Sequence, residues 1–184
     1  MSNSGTRSDA SLGLAFALPL AVLALAADQG SKWAILTLVM DPPRVIEVMP
    51  FFNLTLGFNR GITFGLLGGG STGPWPLTAA ALVAIAGLAV WAWRARCRIE
   101  AAAIGAVVGG AIGNVADRVR QGAVTDFLDL HAFGWHWPTF NVADVAIVCG
   151  VGTLLLRSWR GDSRTAVSGS AVAPDRAADC SRDA

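Results

Sequence analysis

The sequence predicts a membrane protein, mainly α-helical, with four transmembrane helices and a small antiparallel β-sheet on the outer, extracytoplasmic membrane surface. Three observations support this fold class: a low content of charged residues, four long uncharged windows, and one stretch with the period of a β-strand. The 184-residue chain is 53% hydrophobic and 15% charged, whereas soluble proteins carry about 25% charged residues. Its net charge of +1 provides no basic surface for nucleic acid.

The helices are predicted from windows without Asp, Glu, Lys or Arg. These windows lie between Asp9 and Asp28, Arg60 and Arg94, Glu100 and Asp117, and Asp144 and Arg157. Crossing the hydrocarbon takes a helix of about 20 residues. We therefore predict a membrane-embedded domain over residues 1–160, with spans at 12–36, 76–93, 99–119 and 141–159. Residues 161–184 are polar and rich in small side chains, which predicts a disordered cytoplasmic tail.

The distribution of arginines orients the spans. Arg94, Arg96 and Arg98 lie between the second and third spans, and further arginines follow the fourth span. Because cytoplasmic loops are enriched in Lys and Arg, both termini are expected in the cytoplasm, and the 41–75 and 120–139 links face outward. A cleavable signal peptide is a weaker reading of the first span, since the apolar pattern resumes beyond the possible cleavage site.

The outer link of residues 41–75 contains the strand signal. In "FFNLTLGFNRG" (51–61), apolar side chains alternate with polar or small ones, which is the period of a half-buried strand. The preceding "RVIEV" (44–48) is a plausible partner strand. We therefore expect an antiparallel pair in this link. The stretch "GGGSTGP" (68–74) is read as a flexible turn into the second span.

Polar residues gather at the predicted outer ends of the helices. Asp28 and Lys32 are four residues apart and share a helix face, as do Asn114, Asp117 and Arg118 on the third span. Other members are Asn59, Gly61, Asp126, Asn141 and Asp144. Ionisable residues near membrane depth are costly and usually functional, so their convergence on one side predicts a site.

Each of these residues also has a purely structural interpretation. Asp28 and Lys32 could form an interfacial salt bridge, and Asp117 with Arg118 could be solvated at a helix end. Asn141 fits an N-cap with Asp144 as its capping-box partner. The remaining acid and imidazole groups of the outer links are expected in loops: Asp129, His131 and His136.

Several functions remain open on residues alone. The carboxylates could form a proteolytic pair, or Asp28, Asp117 and Asp144 could relay protons in a small transporter. A metalloprotease would draw on Asp126, Asp129, His131 or His136, but no His-Glu-x-x-His motif occurs. A membrane scaffold without catalysis is a further alternative. We predict no metal and no cofactor, and the three scattered cysteines indicate free thiols.

Five ordered motifs resemble those of the lipoprotein signal peptidases, also called signal peptidase II. They are "DQGSK" (28–32), "NRGITFG" (59–65), "GGAIGNVADR" (109–118), "GAVTDF" (122–127) and "FNVAD" (140–144). The resemblance covers about residues 12–159 in matching order and topology. The family often has Ala-Ala-Phe where this chain has Ile62, Thr63 and Phe64. This difference would alter the floor of the substrate pocket that the resemblance implies.

The resemblance implies an aspartyl intramembrane endopeptidase. It would cleave bacterial prolipoproteins just before a cysteine that carries diacylglycerol, with Asp126 and Asp144 as the catalytic pair. Sequence spacing by itself leaves Asp117 as a competitor of Asp126. From their surroundings we expect Asp144, at a helix N-terminus, to be the base and Asp126, flanked by apolar residues, to be the acid.

The same resemblance assigns supporting roles and partners. Asp28 and Lys32 would brace the first helix, and Asp117 would belong to a positioning network. The substrate backbone and the catalytic pair would be held by Asn59, Gly61, Asn114, Arg118 and Asn141. The expected partners are the diacylglyceryl-modified prolipoprotein and membrane lipid, but no nucleic acid. We expect a monomeric, multi-pass protein of the bacterial inner membrane with its active site near the outer face.

Overall fold

The computed structural model describes residues 4–61, 74–95 and 97–167. In this part of the chain four helices are long and apolar enough to cross a membrane, and they accompany a small antiparallel sheet. The predicted combination of four apolar helices and a small antiparallel sheet is therefore confirmed. The helices are α1 (Ser4–Ala34), α2 (Trp75–Arg94), α3 (Arg98–Gln121) and α4 (Val142–Val167). A π-helical turn, Ile35–Val39, continues α1. The strands are β1 (Ile46–Met49), β2 (Phe52–Asn59), β3 (Val124–Ala132) and β4 (Trp135–His136).

Two predicted segments fall wholly or partly outside the described residues. They are the turn at 68–74, of which only residue 74 is described, and the tail from residue 168 onward; Ile62, Thr63 and Phe64 also lie outside. Helix α4 extends to Val167, into the stretch that the sequence assigned to a disordered tail. Adding a residue to an existing helix gains a hydrogen bond without a new nucleation step, so a helix can continue past its apolar portion.

Helix α3 forms the centre of the helical bundle. Half of its apolar window is buried inside the protein, against 17% or less for the windows of the other three helices. The close packing depends on glycines of α3. A Cβ at Gly105 or Gly109 would collide with the carbonyl oxygen of Ala17 or Ala21 on α1. Small residues allow helix backbones to approach closely where lipid supplies no hydrophobic driving force.

Replacing Gly109 with alanine is expected to lower the free energy of unfolding by about 1–3 kcal/mol, because the added methyl group overpacks the α1–α3 contact. The matched control is Gly87→Ala on α2, where a Cβ would meet nothing within 4 Å. That change should raise stability by up to about 1 kcal/mol through helix propensity. Unfolding of the purified variants in detergent measures both effects. Equal stabilities of the two variants would contradict this packing role.

The sheet has the strand order β1-β2-β3-β4 with antiparallel neighbours throughout. The predicted pairing of the 44–48 region with the 51–61 strand is confirmed, with Ile46 opposite Leu54. Strands β3 and β4 were not predicted. Most residues at the start of β3 are buried irrespective of the face to which they point, so this strand has no polar–apolar alternation to reveal it. Its register places Asp126 opposite Gly57.

The loop interpretation of three residues is therefore wrong. Asp129 and His131 lie in β3, and His136 lies in β4. Backbone pairing with β2 and within the β3–β4 hairpin explains why polar side chains occur in regular structure here. Within β3, Phe127 packs with Ile35 and Met40 and joins the strand to the end of α1.

Candidate active site

The connection from α3 to β3 places Asp126. Helix α3 ends at Gly122, which has a left-handed conformation with φ of 75°, and its N–H donates to the carbonyl of Arg118 at 3.0 Å. Glycine adopts this conformation without steric cost and is the usual residue at such a helix end. The chain then enters β3 almost at once, so Asp126 lies on a strand that is hydrogen bonded to β2.

The start of α4 places Asp144. The backbone N–H of Asn141 donates to Asp144 Oδ2 at 3.1 Å, and the N–H of Asp144 donates to Asn141 Oδ1 at 3.0 Å. These reciprocal bonds form the predicted capping box, which is thereby confirmed. The cap holds the Asp144 carboxylate at the helix N-terminus. Because it uses only the side-chain oxygen of Asn141, the NH₂ group of that side chain remains available to other groups.

Two asparagine amides connect Asp126 with Asp144. Asn141 Nδ2 donates to Asp126 Oδ1 at 2.6 Å and to Asn114 Oδ1 at 3.2 Å. Asn114 Nδ2 in turn donates to Asp144 Oδ1 at 2.9 Å. The two carboxylates, from β3 and α4, thus flank one hydrogen-bonded pair of amides contributed by α3 and the α4 cap. Asn141 is fully buried, and Asp126 is 2% exposed.

The surroundings of Asp126 favour its neutral form. Burial raises the pKa of Asp126 from 3.8 to about 6, and the negative charge of Asp144 adds to the rise. Hydrogen bonds from Asn141 and Asn59 act in the opposite direction. The predicted site residue Asn59 therefore contacts the carboxyl of Asp126, and its Oδ1 also accepts the backbone N–H of Gly61 at 3.1 Å. A neutral carboxylic acid can donate a proton, which an ionised one cannot.

Asp117 has different partners. Its Oδ2 accepts from Lys32 Nζ at 2.9 Å and from the backbone N–H of Thr125 at 3.1 Å, while its Oδ1 accepts from Gln29 Nε2 at 3.1 Å. The side chain is 6% exposed. Both oxygens are thus engaged in holding α1, α3 and the start of β3 together, which suits a structural group better than one that exchanges protons.

Lys32 and Asp28 form the salt bridge that their spacing allowed, and it is buried inside the protein. Lys32 Nζ lies 2.8 Å from Asp28 Oδ2 and 3.2 Å from Asn114 Oδ1, in addition to its contact with Asp117. Asp28 Oδ1 accepts the backbone N–H of Ala143 at 3.0 Å. The pair consequently connects α1 to both α3 and α4, and Lys32 shares the side-chain oxygen of Asn114 with the amide of Asn141.

Arg118 is the cation that faces the site. It donates to the carbonyl of Asn114 at 3.3 Å, and its positive charge interacts with Asp144, Asp126 and Asp117. Its Nε is buried and has no hydrogen-bond partner in the described part of the chain. An unused donor beside two carboxylates is suited to a carbonyl oxygen of a bound peptide.

Two members of the network were missed from the sequence. Gln29 Nε2 lies within hydrogen-bond distance of Asp28, Asp117 and the carbonyl of Gly113, and Thr125 provides the backbone N–H to Asp117. Gln29 follows Asp28 directly, and neighbouring residues do not share a helix face, so spacing gave no signal. Among the described residues, no three His, Cys, Asp or Glu side chains are placed to hold a metal ion.

Comparison with known proteins identifies the family. A model described as signal peptidase (SPase) II matches residues 20–160. A lipoprotein signal peptidase of Methylorubrum extorquens (strain PA1) is 48% identical over 146 residues, covering 77% of this chain and 84% of that protein. One of Methylobacterium sp. (strain 4-46) is 44% identical over 158 residues, covering 83% and 93%.

Solved structures agree with this result. A bacterial membrane enzyme determined by the in meso method at 2.3 Å resolution superimposes with a TM-score of 0.70 at 27% identity, covering 88% of this chain and 96% of that one. A second, at 1.9 Å resolution, gives 0.67 at 30% identity, covering 78% and 92%. The family expected from the five motifs is confirmed, and the chain belongs to the signal peptidase II family as a multi-pass bacterial membrane peptidase that removes signal peptides.

Proposed function

We propose that this peptidase cleaves bacterial prolipoproteins just before a diacylglyceryl-modified cysteine, using Asp126 and Asp144 as an aspartyl dyad. The observation that carries the proposal is the shared pair of amides, Asn141 and Asn114, which binds Asp126 on one side and Asp144 on the other. The similarity to proteins named lipoprotein signal peptidase supports a prolipoprotein substrate. No cofactor is required for this chemistry.

The reaction follows from two carboxyl groups with different protonation states. Asp144, ionised, takes a proton from water as the water oxygen attacks the scissile carbonyl carbon, and Asp126, neutral, donates its proton to the carbonyl oxygen. In the second step Asp126 takes back a proton from the tetrahedral intermediate. Asp144 then protonates the amide nitrogen, the C–N bond breaks, and both groups return to their starting state.

The surroundings of each carboxyl group support this division of roles. Burial and the charge of Asp144 raise the pKa of Asp126 to about 6, so this carboxyl group keeps the proton that the acid role needs to a higher pH than an ordinary one. Asp144 accepts hydrogen bonds from an amide side chain and a backbone N–H at a helix N-terminus, where negative charge is stabilised. Paired carboxyl groups whose environments separate their protonation states are typical of acid–base catalysis.

The other polar residues would hold the substrate and the dyad. Arg118 has the unused Nε beside both carboxylates, so we assign it to a substrate carbonyl oxygen. Asn59, the last residue of β2, and Gly61, just beyond it, would bind the extended peptide. The dyad is held in place by Asn114, Asn141, Asp117, Asp28 and Lys32.

The arrangement in the membrane completes the proposal. The positive-inside rule places both termini in the cytoplasm, so the sheet and the dyad lie near the outer face, where water is available. Exposed tryptophans at the sheet end, Trp33, Trp75, Trp135 and Trp137, are consistent with the outer headgroup region. The enzyme would act as a monomer and admit its lipid-bearing cysteine sideways from the bilayer.

A proton relay is the alternative that the sequence left open. It would need Asp28 and Asp117 to release and accept protons during transport. Both carboxylates instead contact Lys32 within 3 Å and are almost fully buried. The geometry therefore favours proteolysis by Asp126 and Asp144.

The proposed substrate is tested with purified enzyme and two versions of one precursor peptide, with and without diacylglycerol on the cysteine. We expect cleavage immediately before the cysteine, seen by mass spectrometry, and a kcat/KM roughly a hundredfold or more higher for the modified peptide, because its acyl chains gain apolar burial. Equal rates for the two peptides would overturn the assigned lipid dependence. Cleavage at another bond would overturn the assigned position.

The pH dependence tests the role of Asp126. Because the acid must be protonated in the free enzyme, kcat/KM should fall as the pH rises through about 6. Activity is measured between about pH 5 and pH 8, and thermal unfolding at each pH serves as the control for loss of folded enzyme. A kcat/KM that rises across this window would assign the acid role to another group.

A further inference from the structure

A second polar cluster lies on β3, beyond the proposed dyad. Asp129 is 6% exposed, and its carboxylate lies 2.9 and 3.0 Å from Nδ1 of His136 on β4. The amide of Asn53 on β2 donates to the same carboxylate at 3.2 Å. The ring of His131 stacks on that of His136 at 5.0 Å. The mechanism proposed above uses none of these groups.

The charge on Asp129 is stabilised by its partners. Burial would raise the pKa of this carboxyl group, but the hydrogen bonds from His136 and Asn53 and the nearby imidazoles outweigh burial and lower it. An ionised carboxylate only accepts hydrogen bonds, so it matches a ring Nδ1–H and an amide NH₂. His136 has a more exposed side chain, which is held by this contact and by the stacked ring of His131.

The β3–β4 hairpin is short. Strand β4 consists of two residues, Trp135 and His136, and the turn before it uses left-handed conformations at Phe133 and Gly134. Beyond β4, the N–H of Trp137 donates to the carbonyl of Leu130 at 2.8 Å. Short two-stranded hairpins are marginally stable alone, so a buried side-chain contact between the strands matters here.

The chain leaving this hairpin returns to the dyad. The carbonyl of Phe140 accepts hydrogen bonds from the N–H groups of Phe127 and Leu128 at 3.0 and 2.9 Å. The N–H of Phe140 donates to the carbonyl of Leu128 at 3.1 Å. The next residue is Asn141, which binds Asp126 and caps the helix that carries Asp144. The course of residues 129–140 therefore sets how Asn141 meets β3.

We propose that Asp129 and His136 form a positioning pair, which holds the β3–β4 hairpin closed so that Asn141 keeps Asp126 and Asp144 in reactive geometry. The inference rests on the proposed assignment of these two residues as the dyad. The pair touches neither substrate nor water nucleophile. A displacement of catalytic groups by about 1 Å can lower a rate up to a hundredfold, so loss of the pair should lower kcat. Because the pair does not touch the substrate, KM should change little.

The test compares His136→Ala, Asp129→Ala and the double variant in the full-length enzyme with a lipidated precursor. We expect kcat to fall about tenfold in each single variant with KM within about twofold. The double variant should be no slower than the slower single variant, because either change already breaks the pair. His136→Asn should recover most of the lost kcat, since its amide can donate from the position of Nδ1.

Two controls separate this role from general instability and from failure of the dyad assignment. Trp135→Ala removes a large side chain from the same strand without touching Asp129, and it should keep the wild-type kcat. Thermal unfolding of every variant corrects for the folded fraction. Asp126→Asn is assayed alongside, and retained activity in that variant would overturn the dyad. The positioning pair would be overturned by wild-type kcat in His136→Ala and Asp129→Ala, by multiplicative losses in the double variant, or by no recovery in His136→Asn.

Discussion

Replacing either proposed catalytic carboxyl group with its amide, Asp126→Asn or Asp144→Asn, is expected to lower kcat by roughly a thousandfold or more. An amide at position 144 cannot take a proton from water, and an amide at position 126 cannot deliver one to the carbonyl oxygen. The change should leave the fold intact, because an asparagine at 126 still offers an oxygen to Asn141 Nδ2, its present partner. Cleavage of a lipidated precursor by purified protein is the measurement.

The matched control is Asp41→Asn, which makes the same chemical change at an exposed carboxylate in the outer link. It should cleave at the wild-type rate. Thermal unfolding of all three variants shows whether lost activity reflects lost structure. Substantial cleavage by either dyad variant would remove that residue from the catalytic pair, and normal cleavage by Asp126→Asn with an inactive Asp117→Asn would transfer the role to Asp117.

Removing the cation from the buried ion network should have the largest effect on stability. In Lys32→Met, Asp28 and Asp117 lose the ammonium group that lies 2.8 and 2.9 Å from their oxygens. Breaking a buried ion pair by removing one partner costs about 3–5 kcal/mol, because the remaining charge stays buried without compensation. The midpoint of unfolding in detergent should fall accordingly. Activity should fall with it, since Lys32 also holds Asn114.

Arg120→Met provides the comparison for Lys32→Met. Arg120 is an exposed cation of α3 that donates to Gln29 at 3.0 Å, and exposed polar contacts of this kind contribute about 0–1 kcal/mol. A loss of less than about 1 kcal/mol is therefore expected. Similar stabilities of the two variants would show that the Lys32 network does not stabilise the fold in the manner described.

The parts of the fold that depend on local pattern were predictable. Four uncharged windows predicted four helices, because a membrane span has to be apolar along its length. Period-two alternation predicted the β2 region, and "RVIEV" predicted its partner. The capping box at Asn141 and Asp144 was also predictable, since its two residues are three apart and bond to each other.

Other parts depended on contacts between distant residues. Strand β3 was missed because its buried first half faces neighbours on both sides and does not alternate. Asp129, His131 and His136 were read as loop residues, although they pair across a hairpin and to β2. Gln29 was missed because its partners Gly113 and Asp117 lie on another helix.

The sequence by itself determined the membrane class, the ordered motifs and the family of this protein, because each depends on composition or on residues close along the chain. It left Asp117 and Asp126 as rivals, since both stand near the end of α3. Only the tertiary structure decided their neighbours. The left-handed turn at Gly122 and the pairing of β3 with β2 bring Asp126 to Asn141, while the packing of α1 on α3 brings Lys32 to Asp117.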